Sequence, residues 1–113
     1  MARGLLVDDD AAGLELRKLI LERHGYKCAV AFDPQQASFL LGTKPDVVVL
    51  DLRMPSLEEG LALIRAIRAR SEVRIIVLCG QPEDLRDQPE SNMVHAVLAK
   101  PVRPEQLIAA IGS

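Results

Sequence analysis

The residues that could do chemistry fall at the ends of apolar runs. Asp8, Asp9 and Asp10 follow Leu5-Leu6-Val7, and Asp51 follows Val47-Val48-Val49-Leu50. Cys79 and Gly80 follow the run 73–78, and Lys100-Pro101 come just after Ala96-Val97-Leu98. The raw material is therefore several carboxylates, one ammonium and one thiol. Carboxylates brought together repel one another unless a cation sits among them. Hard oxygen ligands left partly open to water suit Mg2+, which keeps several waters and commonly binds phosphate as well. A carboxylate can also attack phosphorus and form an aspartyl phosphate. That reaction needs in-line positioning, a metal and a cation on the phosphoryl oxygens, with little further covalent help. Lys100 can supply the cation, and a donor in the loop after the fourth run can supply a hydrogen bond.

Each piece has an ordinary structural explanation when taken alone. Acids after a strand are often helix caps, and Asp10 is expected to cap the helix that follows. A single Asp after a strand is commonly a turn residue. An isolated lysine is commonly a solvated surface residue. The combination is more specific, because three separate strand ends carry the three parts of one site.

The intervening sequence must position these residues. Short apolar runs alternate regularly with helical patterns. Leu16, Leu19, Ile20 and Arg23 recur at helical spacing before a stop at His24-Gly25, and Cys28-Ala29-Val30-Ala31 is a second short run. Asp33-Pro34 has the form of an N-cap followed by proline at the first helical position. Ala37, Leu40 and Leu41 give that helix a narrow apolar face, with Gly42 as its end. Run 47–50 is continuous and β-branched, and run 73–78 is rich in β-branched residues, as strands buried on both faces are. Between them Gly60, Leu63, Ile64 and Ile67 share one helical face, with Arg65, Arg68 and Arg70 outside. Pro104 opens a last helix with Leu107, Ile108 and Ile111 facing inward. Strands of this kind separated by helices predict an α/β domain, a parallel sheet with helices on both faces. Ligands in such folds bind beyond the carboxyl ends of the strands.

Composition narrows the function classes. The 113 residues fit one domain spanning 1–113, with no second domain expected. The 14 basic and 16 acidic residues leave a charge of −2, which gives no electrostatic footprint for nucleic acid or an anionic membrane. No run approaches a membrane span, the N-terminus does not read as a signal peptide, and a cytoplasmic chain is expected. Cys28 and Cys79 then read as free thiols. There is no Cys-X-X-Cys, and nearby carboxylates would raise the Cys79 thiol pKa, which argues against a redox or nucleophilic cysteine. Tyr26 and Phe39 are expected to pack, and His24 and His95 to lie at the surface or cap helices.

In order and spacing the whole chain resembles the receiver domains of two-component response regulators. The matching segments are Leu6-Val7-Asp8-Asp9-Asp10, Gly25-Tyr26, Pro45 through Pro55, Gly60 with Ile64-Arg65-Ala66-Ile67-Arg68, Lys100-Pro101, and Pro104-Glu105-Gln106-Leu107. The resemblance implies a flavodoxin-like, doubly wound fold with five parallel strands in the order 2-1-3-4-5. It implies Asp51 as phosphoacceptor, and Asp8, Asp9, Asp51 and the backbone carbonyl of Arg53 as the Mg2+ ligands. Lys100 would pair with the phosphoryl group, before a cis bond to Pro101. The phosphoryl donor would be a sensor histidine kinase or a histidine phosphotransfer protein. The downstream protein or fused output domain is left open, and a homodimer through the fourth and fifth helices is possible.

The chain departs from the family pattern at four places. Cys79 stands where Thr or Ser is usual, and a thiol is the weaker donor. Val97 stands where an aromatic is usual. The turn from Pro55 to Gly60 is one residue longer. The stretch 81–92 is polar and carries Pro82 and Pro89, with Leu85 as its one strong anchor, so the fourth helix is expected to be short or irregular. These departures motivate an alternative, a degenerate receiver that binds partners without phosphorylation. A third reading, a small phosphatase, lacks an evident substrate pocket.

Overall fold

The computed structural model describes residues 2–112. Strands β1 (Ala2–Val7), β2 (Tyr26–Ala31), β3 (Val47–Asp51), β4 (Arg74–Cys79) and β5 (Ala96–Ala99) alternate with helices. The helices are α1 (Ala11–Glu22), α2 (Pro34–Leu40), α3 (Leu57–Arg70), α4 (Glu83–Arg86) and α5 (Pro104–Gly112). Every strand pair is parallel and the order is β2-β1-β3-β4-β5, as the sequence predicts.

Alternation along the buried strands builds two apolar layers. Val48, Leu50, Ile75, Val77 and Cys79 pack with α2, α3 and α4. Val47, Val49, Ile76 and Leu78 pack on the opposite face with α1 and α5. Local chemistry fixes the helix starts. Asp33 accepts a hydrogen bond from the Gln36 N–H, with Pro34 just inside, and Ser56 accepts one from the Glu59 N–H. Helix α3 carries Glu58 and Glu59 in its first turn and Arg68 and Arg70 in its last, matching its dipole.

The structure corrects several local expectations. The inward residues of α1 are Leu14 and Leu21, while Leu16 and Leu19 are exposed. The apolar spacing misled because an arginine, Arg17, occupies a position between the two buried leucines. Asp10 stands at the N-cap of α1 but makes no side-chain capping hydrogen bond, and its backbone carbonyl accepts from the Leu14 N–H. Helix α2 runs on into a 3₁₀ turn, Leu41–Thr43, closed by Lys44 in the left-handed region rather than by Gly42. Phe39 is 83% exposed and does not pack into the core.

The fourth helix is short, as expected: α4 is a four-residue turn, followed by a 3₁₀ segment at Pro89–Met93. Leu85 is its buried anchor. The arginines of α3 hold the rest. Arg65 pairs with Glu90 at 2.5 Å, and Arg68 donates to the Met93 carbonyl from Nε and Nη2 at 3.0 and 2.6 Å.

Gly60 brings α3 against the chain just beyond Asp51. A Cβ at this position would lie 1.6 Å from the carbonyl oxygen of Leu52, a backbone atom that cannot step aside. Gly60→Ala should therefore push α3 off the β3 loop and cost about 2 kcal/mol or more, as overpacking does. Urea unfolding checks this, and a loss well under about 1 kcal/mol, the small end of overpacking costs, would contradict the contact.

Candidate functional site

Register places the site. Val7 of β1 pairs with Leu50 of β3, so Asp8 and Asp51 follow at the same level. Asp51 pairs with Leu78, and Cys79 with Ala99, so the next residues, Gly80 and Lys100, complete the same sheet end. Asp51 continues the series Val47, Val49, and Lys100 continues Ala96, Leu98, on the α1 and α5 face. The two side chains meet there. Lys100 Nζ lies 2.5 Å from Asp51 Oδ2, with Asp51 mostly buried and Lys100 partly open to solvent. The other carboxylate oxygen accepts the Arg53 N–H at 3.2 Å. The Lys100 N–H donates to the Cys79 carbonyl at 2.8 Å, which ties the lysine to the end of β4. The Lys100–Pro101 bond is cis, as the resemblance implied, and so is Met54–Pro55, which nothing in the sequence signalled.

Asp8 is buried and also held on both oxygens. Oδ1 accepts the Asp10 N–H at 3.1 Å, and Oδ2 pairs with the guanidinium of Arg17. Asp9 is exposed beside it. Arg53 reaches away from the site, donating from Nε and Nη2 to Asp84 at 3.0 and 2.8 Å, which links the β3 loop to α4.

These donors are hard oxygens at neighbouring strand ends, a set whose chemistry suits Mg2+. Among the described residues no three acidic, histidine or cysteine side chains stand grouped tightly enough to enclose an ion. Asp8 and Asp51 each face a cationic side chain of the protein itself. Arg17 is the site residue that sequence reasoning missed. Its signal was a cation at an inward helical position with a glycine, Gly13, four residues before it.

Cys79 is buried in the opposite layer, among the residues packed with α2, α3 and α4. Burial pushes its thiol pKa up, Asp84 and Asp51 push it further, and Lys100 and a backbone hydrogen bond at Gln81 oppose them. Burial and then Glu22 raise the Cys28 thiol to about 11. Both shifts favour the protonated thiol near neutrality, and the thiolate is the nucleophilic form.

Comparison with known proteins agrees with this architecture. Residues 5–112 match the family model of the response regulator receiver domain. The DNA-binding response regulator MtrA of Mycobacterium tuberculosis is 34% identical over 112 residues, covering 96% of this chain and 48% of that protein. The transcriptional regulatory protein CpxR of Escherichia coli is 34% identical over 113 residues, covering 98% of this chain and 48% of its own length. The chain thus spans about half the length of the curated relatives it matches. A receiver domain protein of Clostridium thermocellum superposes with a TM-score of 0.89 at 26% identity, covering 99% of this chain and 92% of that one. The regulator TrrA of Thermotoga maritima, solved in complex with Mg2+ and BeF, gives 0.87 at 27% identity, covering 99% and 97%. With parallel strands in the order β2-β1-β3-β4-β5 and a family match over nearly its whole length, the chain belongs to the response regulator receiver domains of two-component systems.

Proposed function

We propose that Asp51 accepts the phosphoryl group and that phosphorylation there shifts the domain's conformational equilibrium and partner binding. The observation that carries this reading is the 2.5 Å contact between Lys100 Nζ and Asp51 Oδ2, made by residues 49 apart at the ends of two strands. The donor is a phosphohistidine on a sensor histidine kinase or a histidine phosphotransfer protein. An Asp51 oxygen attacks phosphorus, the bond from phosphorus to the histidine nitrogen breaks, and its electron pair stays with the imidazole, which takes up a proton. Lys100 turns from the carboxylate to the phosphoryl oxygens and neutralises them. The Arg53 N–H, already on Asp51 Oδ1, keeps the carboxylate in register for attack. Asp8, Asp9, Asp51 and the backbone carbonyl of Arg53 would hold Mg2+, which when bound supplies positive charge against the phosphoryl oxygens.

Cys79 occupies the position of the usual hydroxyl, and its burial in the core together with the thiol's weak donor character supports a weak hold on the phosphoryl group. The near-neutral charge of −2 supports an output carried by a partner protein or fused domain, with no direct nucleic-acid contact by this one. No helix of the described residues is long and apolar enough to cross a membrane, which fits work in the cytoplasm. The domain is a phosphoacceptor and not a turnover enzyme.

Beryllofluoride with Mg2+ should shift backbone amide signals across residues 79–103 of the wild type, and Asp51→Asn should abolish the shift. A silent wild type would overturn the active-receiver reading and leave an interaction module independent of phosphorylation. Lys100→Ala should slow acetyl phosphate labelling of Asp51 by about a hundredfold, the scale of a lost charge-stabilising group. Labelling at the wild-type rate would remove Lys100 from the reaction.

A further inference from the structure

Arg17 is a charged residue at this sheet end that phosphoryl transfer does not use. It lies three residues after Leu14 and four before Leu21, both buried, so it shares the inward face of α1. Its guanidinium pairs with Asp8 Oδ2, with the Asp8 side chain 3% exposed and that of Arg17 17%. Space for this was left at Gly13. A Cβ there would lie 3.1 Å from Asp10 Oδ2 and 3.2 and 3.3 Å from the two terminal nitrogens of Arg17. Glycine is unfavourable inside a helix, so its presence beneath the guanidinium points to a fitted contact.

A carboxylate this deeply buried is costly without a partner. Arg17 provides one that is covalently part of the chain and always charged. The oxygen it holds belongs to the residue assigned above to the metal. We propose that Arg17 is a built-in counter-ion that competes with Mg2+ for Asp8. Metal entry then exchanges one cation for another, and the guanidinium draws back from Asp8 within the cleft of about 460 Å³ that Arg17 already lines with Asp8, Asp10, Ile20, Lys100 and Leu107. The domain keeps its acidic end neutralised without metal and becomes competent for phosphorylation only when Mg2+ outcompetes the arginine. This rests on the receiver reading of Asp8 as a metal ligand.

The test is a Mg2+ and Mn2+ titration of the whole chain, followed by amide shifts and by thermal unfolding, on wild type, Arg17→Met and Gly13→Ala. Arg17→Met should bind metal about tenfold or more tightly. It should also melt lower in chelator and gain more from saturating Mg2+ than the wild type does. Gly13→Ala crowds the guanidinium without removing its charge and should shift affinity the same way by less. Folding of Arg17→Met only in the presence of Mg2+ would equally support the exchange. If that variant fails to fold under any condition, Gly13→Ala decides, and an affinity equal to the wild type overturns the proposal. Equal metal affinity in wild type and Arg17→Met overturns the counter-ion role alone. No metal binding by any variant, with Asp9→Asn also without effect, overturns the receiver's metal site together with it.

Discussion

The Asp51 carboxylate is mostly buried, and a carboxylate so placed is stable only beside a cation. Two such carboxylates stand at adjacent strand ends here, Asp51 and Asp8, and each has its own positive partner. The partners come from opposite directions. Lys100 arrives from β5 across the intervening β4, held there by its N–H bond to Cys79, while Arg17 arrives from α1. Low local dielectric strengthens both pairs relative to water and makes the loss of either partner expensive. The sheet order, the register of the strands and the glycine beneath Arg17 all serve to let these charges meet.

Cys79 shows how one-residue alternation divides labour at a strand end. Asp51 and Lys100 belong to the layer of α1 and α5, while Cys79 belongs to the layer of α2, α3 and α4. Its thiol is protonated and enclosed, so it serves the core before it serves any ligand. What it shares with the site is backbone: its carbonyl accepts the Lys100 N–H. A change of side chain at 79 therefore leaves the lysine's main-chain anchor in place.

Much of this was legible in the sequence. The β-branched runs 47–50 and 73–78 read as strands buried on both faces, and their ends pointed to Asp51 and Cys79 directly. Parallel order brought Asp51 and Lys100 together as read. What escaped was side-chain context of higher order. Leu16 and Leu19 matched a helical face as well as Leu14 and Leu21 do, and only the packing of α1 on the sheet chose between them. Arg17 went unread because a largely buried arginine gives no signal until its acid is placed. Phe39 read as core by composition, yet α2 turns it outward. The tie between Gly60 and Leu52 could not be foreseen from spacing, because it depends on the angle at which α3 crosses the end of β3.

The short fourth helix is held differently from the rest of the fold. A single turn is far below the length at which a helix sustains itself in water. Its order comes from contacts with the rest of the fold: its own Leu85 buried in the core, Asp84 on Arg53 at one end, and Glu90 and the Met93 carbonyl on α3 arginines at the other. Such a segment is a strap fastened at discrete points. Its amides should exchange with solvent in small independent groups, each governed by the release of one arginine, while the flanking strands β4 and β5 open only with the whole domain.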